Sequence, residues 1–205
     1  MKARNMSGPV EFYFEFSSPY AYFAAQKIDQ IAEDNGRACI WKPFMLGAAF
    51  SKTGMAPLTE QPMRGAYGLH DWERLGRYMK VPWKMPEKFP VHAIAASRAF
   101  YWLNERDADQ ARLFAKSIFH GIFGEGQDLS KPHAVADFAS ALFIDKEELL
   151  AGMQDQAIKK LLRDETETAL ERGVFGSPYF IVDGEGFWGS DRMWMVKKWL
   201  QSGGW

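Results

Sequence analysis

Phe12-Tyr-Phe-Glu-Phe-Ser-Ser-Pro-Tyr-Ala-Tyr22 decides how the rest of this chain is read. Val10, Phe12, Phe14 and Phe16 alternate with Glu11, Tyr13, Glu15 and Ser17. Aromatic and β-branched residues at period two predict a strand. The pattern then switches at once to helical spacing, with Tyr20, Phe23, Ala24, Ile28 and Ile31 on one face. Ser18 suits the cap of that helix and Pro19 its first turn. The junction serine therefore stands at the positive end of a helix dipole, where an anion is stabilised.

Working outward, the chain has 205 residues, which suits one large domain or two small ones. Nearly half are apolar, with 16 Phe and 8 Trp, enough for a sizeable core. The net charge is −1 and both signs are interspersed, so no basic stripe points to nucleic acid or an anionic membrane. No apolar run approaches the ~18 residues of a membrane span. Residues 1–9 read as a short disordered lead rather than a signal peptide. Asn5-Met6-Ser7 fits the glycosylation sequon but has no secretory route behind it. The single cysteine, Cys39, excludes an internal disulfide and points to a reducing, cytoplasmic setting. Its place between Ala38 and Ile40 makes it a small core residue.

Asn35-Gly36 stops the first helix, and residues 38–44 read as a second strand ended by Pro43. A helix between the two strands implies a right-handed, parallel β-α-β unit. Residues 47–62, rich in Gly, Pro, Ala and Thr, predict a loop or short helical pieces. Helical spacing returns over 63–79, and prolines keep 81–90 irregular. Helices follow at about 91–105, 108–123, 131–140 and 145–152, the last with Asp145 as cap and Glu148 in the capping-box position. An amphipathic helix spans 154–172. Tyr179 to Val182 is a strand, and Asp183-Gly184 turns into Phe187-Trp188 as a hairpin. Gly189-Ser190-Asp191-Arg192 caps a final helix. The order β-α-β, helices, α-β-β-α is an α/β, thioredoxin-like fold with an inserted all-helical domain. Residues 9–46 and 153–205 make the discontinuous thioredoxin-like domain, and 47–152 the insertion.

Three ordered motifs carry a resemblance: Phe16-Ser-Ser-Pro-Tyr-Ala-Tyr22, Gly173-Val-Phe-Gly-Ser-Pro-Tyr179 and Phe187-Trp-Gly-Ser-Asp-Arg-Met193. Phe50-Ser-Lys-Thr-Gly54, Phe89-Pro-Val-His92 and Glu125-Gly-Gln-Asp-Leu129 lie between them. Together they resemble the 2-hydroxychromene-2-carboxylate isomerases and kappa-class glutathione transferases, relatives of the DsbA-like oxidoreductases. The chain departs from that pattern at Met55 (usually Asn), Arg64 (usually Lys) and His92 (commonly Asn).

The resemblance implies glutathione as cofactor and gives the motifs their roles. The corner that carries a cysteine in DsbA-like proteins carries Ser18 here, so thiol-disulfide exchange is excluded. A serine hydroxyl and free helix N–H groups can instead hold an external thiolate, since a helix start lowers a thiol's pKa. The competing reading is that Ser18 only caps the helix. Ser17 is turned away by the strand alternation. Pro178 is expected in cis, leaving the Ser177 N–H and C=O for the glutathione backbone and the Ser177 side chain without a role, against the reading of a plain trans loop. Ser190 and Asp191, with Arg192, would grip the γ-glutamyl end, or else merely start a helix. Arg64 would hold the glycine carboxylate. Phe44, Trp72, Trp83 and Phe89 are candidate walls for a flat substrate. Lys52 or Arg64 would face its carboxylate, and His92 lies near the expected cleft. Gly184-x-Gly186-x-x-Gly189 matches a dinucleotide spacing but sits in a hairpin with too little chain after it. His70, His92, His120 and His133 lack metal-ligand spacing, so no metal is expected.

The implied activity is glutathione-dependent cis–trans isomerisation of a small conjugated aromatic of the 2-hydroxychromene-2-carboxylate type, in aromatic, naphthalene-type catabolism, by a homodimer. Two alternatives stay open: a kappa-class transferase conjugating glutathione to electrophiles, and a non-catalytic thioredoxin-like binding module.

Overall fold

The computed structural model of the protein describes residues 8–205; residues 1–7, with the Asn5-Met6-Ser7 sequon and most of the expected lead, lie outside the described residues. Four strands form one mixed sheet in the order β2-β1-β3-β4. They are β1 (Val10–Phe14), β2 (Cys39–Pro43), β3 (Tyr179–Val182) and β4 (Glu185–Trp188). β1 pairs with β2 in parallel, Phe12 opposite Trp41, and with β3 antiparallel, Tyr13 opposite Tyr179. β3 and β4 form the expected hairpin. Its two turn residues, Asp183 and Gly184, have φ of 54° and 88°. Left-handed backbone at both positions matches the sheet's twist, which is why Asp-Gly suits the turn.

Alternation along β1 sends its side chains to two cores. Val10, Phe12 and Phe14 point to one face and Tyr13 to the other, and Phe16, beyond the strand, joins the first of the two cores. Phe12 stacks on Phe14 and Phe180 at 5.0 and 5.5 Å and meets Trp41 edge-on at 4.9 Å. Such ring pairs add stability beyond the area they bury. This is the thioredoxin-like α/β arrangement, with helices over both faces of the sheet.

The helix after β1 breaks in two. α1 (Pro19–Ala25) ends at Gln26, and α2 (Ile28–Glu33) restarts after the exposed Gln26-Lys27 turn. Sequence periodicity predicts one continuous helix because the apolar positions stay in phase across the break. Residues 46–62 hold a regular helix, α3 (Leu46–Thr53), closed by Gly54 at φ 71°, and a 3₁₀ turn at Leu58–Glu60. The other helices are α4 (Arg64–Met79), α5 (Ile94–Asn104), α6 (Ala108–Phe123), α7 (Pro132–Ala139), α8 (Lys146–Gln154), α9 (Gln156–Glu171) and α10 (Met193–Ser202). Asp145 caps α8, accepting the Glu148 N–H at 2.9 Å.

The helical stretch between β2 and α9 packs directly on the sheet. Phe119 of α6 lies 5.5 Å from Phe14 and 5.1 Å from Phe16. The Tyr101 hydroxyl of α5 donates to the Pro43 carbonyl at the end of β2, at 2.7 Å. Among the described residues no helix is long and apolar enough to cross a membrane.

Candidate active site

β1 stops at Phe14, and residues 15–18 turn the chain into α1. Ser18 keeps an extended backbone (φ −92°, ψ 110°), and its hydroxyl oxygen accepts the Ala21 N–H at 3.3 Å. Its own proton goes elsewhere: Ser18 Oγ donates to the Ser177 carbonyl at 2.7 Å. Ser18 is only 7% exposed. The Ser177-Pro178 peptide is cis, so the two corners meet face to face.

That meeting corrects two expectations. The Ser177 carbonyl is not free, because the Ser18 hydroxyl occupies it. The Ser177 side chain is not idle either: its Oγ accepts the Glu15 N–H at 2.8 Å. The pairing of Tyr13 with Tyr179 brings residue 15 level with residue 177, and the hydroxyl takes over where the ladder ends.

Ser17 is not turned away. It lines the same cleft as Ser18, since the strand alternation has ended three residues earlier. Its N–H donates to Glu15 Oε2 at 2.9 Å, and its hydroxyl donates to the same oxygen. Burial pushes the Glu15 carboxyl up to about 7, against the opposing pull of the Ser17 hydroxyl and N–H.

The cleft at this junction has a volume of about 1680 Å³. Ser18, Ser177 and Pro178 line it together with Ser190, Asp191 and Arg192 from the far end of the hairpin. Gly189, at φ 104°, swings the chain there, and its N–H donates to the Pro178 carbonyl at 3.0 Å. Ser190 makes no capping bond; residues 190–192 form a 3₁₀ turn before α10. The Asp191 carboxylate pairs with Arg192 at 2.7 Å, both side chains well exposed. Arg64 lines the cleft from the start of α4, its guanidinium 2.8 Å from Gln61 Oε1.

Phe44, Trp72, Phe89 and His92 also line the cleft. Phe44 is 1% exposed and lies edge-on to Tyr13, a floor rather than a mobile wall. Two expected residues fall outside. Trp83 is stacked between Phe23 and Phe123 at 5.4 and 5.6 Å, which makes it a core brace. Lys52 is an exposed side chain near the end of α3. Sequence reading missed Glu15 and Ser17, and also the bridge from the Tyr20 hydroxyl of α1 to Asp71 of α4 at 2.9 Å. Only the abrupt end of the alternation at Ser17 signalled the first two.

The one thiol is remote from this chemistry. Cys39 is buried in β2, does not line the cleft, and burial raises its pKa. A thiol nucleophile at the corner must come from outside the chain.

A serine replacing a corner cysteine, opposite a cis-proline, places the chain among thioredoxin-like proteins, and the DsbA-like thioredoxin domain model matches residues 9–201. The chain belongs to that family. Among relatives, a 2-hydroxychromene-2-carboxylate isomerase of Sphingobium xenophagum is 27% identical, over 95% of this chain and 99% of its own length. A glutathione S-transferase kappa 1 of Caenorhabditis elegans is 22% identical, over 94% and 90%. A solved structure of a 2-hydroxychromene-2-carboxylate isomerase shares the fold with a TM-score of 0.84 at 24% identity, covering 94% of each chain.

Proposed function

We propose that this protein is a cytoplasmic, glutathione-dependent isomerase of the 2-hydroxychromene-2-carboxylate type. The observation that carries the reading is the buried Ser18 hydroxyl, held between a helix start and the cis-Pro178 corner within one large cleft. Full-length similarity to a relative of that name supports it.

The donors and acceptors along the cleft fit a peptide thiol. Ser18 faces the sulfur, and the Ser177-Pro178 edge faces the peptide backbone. Asp191 suits the γ-glutamyl ammonium, with Ser190 and Arg192 at its carboxylate, and Arg64 suits the glycine carboxylate. Ser18, the Ser177-Pro178 edge, Asp191 and Arg64 would hold glutathione there, and it would supply a thiol nucleophile for reversible addition to a conjugated double bond.

The chain's own part is binding, orientation and charge stabilisation. Ser18 releases the Ser177 carbonyl and donates to sulfur instead. A hydrogen bond to a charged group contributes about 1.5–3 kcal/mol, enough to hold a thiol ionised near neutrality. Phe89 presents apolar surface to a flat substrate, backed by the buried Trp72.

Calorimetry tests the first step: millimolar glutathione should bind, and absence of binding would overturn the reading. Ultraviolet assays test the second. The chromene should isomerise with no net use of glutathione. If only a chloro-dinitrobenzene electrophile reacts and glutathione is consumed, the protein is a kappa-type transferase, the activity in another relative's name.

A further inference from the structure

We infer that Glu15 takes up the proton that a thiol gives up on binding, acting through the Ser17 hydroxyl, which it holds in the cleft. The inference rests on the glutathione reading and assigns a positioning residue to the same site.

A thiol that becomes a thiolate must hand its proton to something. Ser18 can donate a hydrogen bond to sulfur, but its oxygen already accepts the Ala21 N–H, and a neutral hydroxyl does not store a proton. Three carboxylates line the cleft: Glu15, Asp71 and Asp191. Asp71 is in an ion pair with Arg74 and accepts the Tyr20 hydroxyl. Asp191 is paired with Arg192. Glu15 alone has no cation paired with it among the described residues; its partners are the Ser17 N–H and O–H. An adjacent cation opposes the protonation of a carboxylate, and its absence permits it.

The backbone fixes Glu15 in register with the reacting corner. Its N–H is held by Ser177 Oγ and its carbonyl accepts the Ser18 N–H at 2.9 Å. Ser17, between Glu15 and Ser18, already donates its hydroxyl proton to Glu15 Oε2. The transfer then balances. The thiol S–H bond breaks and its electron pair stays on sulfur. Ser17 Oγ takes that proton while its own passes to Glu15 Oε2, so carboxylate becomes carboxylic acid and no proton reaches solvent.

Burial that raises the Glu15 carboxyl to about 7 matches this role, because a group that accepts and returns a proton works best near the ambient pH. The other charged groups of the cleft are Lys27 between α1 and α2, Arg64 with Asp71 on α4, His92 before α5, Asp191 with Arg192 after β4, and Lys197 on α10. Of these, His92 is the competing base, and it is solvent-exposed.

The test counts protons on the full chain. Glutathione is added to wild type, Glu15→Gln, Ser17→Ala and His92→Gln near neutral pH. Thiolate is read by ultraviolet absorbance and proton release by calorimetry in two buffers of different ionisation enthalpy. Wild type and His92→Gln should form thiolate with little proton release. Glu15→Gln and Ser17→Ala should release about one proton per thiolate, since linkage then leaves no internal acceptor. Glu15→Asp should restore part of the uptake. Infrared difference spectra of the wild type provide a measurement that needs no variant: glutathione should convert one carboxylate band into a protonated carboxyl band. Binding with thiolate formed, but with equal proton release in Glu15→Gln, no new carboxyl band, or a change only in His92→Gln, overturns the role of Glu15 alone. Absence of glutathione binding by the wild type overturns both readings.

Discussion

At the scale of the residue, two oxygens three positions apart divide the chemistry. Ser18 donates, and Glu15 is the cleft carboxylate with no cation paired to it among the described residues. Ser18→Ala removes the donor to sulfur, so kcat/KM should fall by roughly 10- to 100-fold, the kinetic equivalent of losing one charge-assisted hydrogen bond. Full activity in that variant would show that the helix start suffices without the hydroxyl. Glu15 also predicts a pH dependence of stability. Its carboxyl is raised from 4.5 to about 7 in the fold. Between those values the folded state binds more protons than the unfolded chain, so stability should fall as pH rises through that window. Glu15→Gln should flatten the slope in urea titrations at pH 5 and pH 8, and an unchanged slope would assign the burial to another group. Ser18 was legible from its motif. Glu15 and Ser17 were not, because strand alternation says where side chains point only while the strand lasts, and β1 ends at Phe14.

At the scale of the element, local chemistry sets the ends. Asp145→Ala deletes the α8 cap and should cost about 1 kcal/mol, measured by chemical denaturation. Gly184 sits at φ 88° in the hairpin turn, and Gly184→Ala should cost about 1–2 kcal/mol, because a Cβ there meets the following carbonyl. A neutral result in either variant would mean that the element is held by packing alone. Boundaries set by local hydrogen bonds, such as this cap and this turn, are readable from a few residues. The break between α1 and α2 is not, since Ile28 and Ile31 keep the helical period across it. Residues 47–62 read as a loop or short helical pieces, and α3 is one such piece. Its seat is made by tertiary contacts, Ala49 being fully buried beside Phe44 and Ala169.

At the scale of the whole molecule, the helices between β2 and α9 and the sheet share aromatic residues. Phe119 of α6 touches Phe14 and Phe16, and all three are fully buried. Phe119→Ala should therefore cost about 3–5 kcal/mol, the cost of emptying a packed aromatic site. The loss should appear in one cooperative transition, with tryptophan fluorescence and far-ultraviolet circular dichroism changing together. Separate transitions by the two probes would show that residues 47–152 melt as an independent unit.

The sequence by itself determined the sheet's elements, the serine at the strand-helix junction and the proline opposite it. Those features follow from short-range rules: side-chain period, turn chemistry and capping, each read over a few neighbouring residues. Only the tertiary structure decided what the junction's hydroxyls are bonded to. Ser18 meets the Ser177 carbonyl, and Ser177 meets the Glu15 N–H, across more than 150 residues of chain. It also packed Trp83 against the core, away from the cleft, and left Lys52 outside the cleft. Hydrogen-bond partners and cleft walls are set by which segments the sheet register brings level, and that register is a property of the assembled strands.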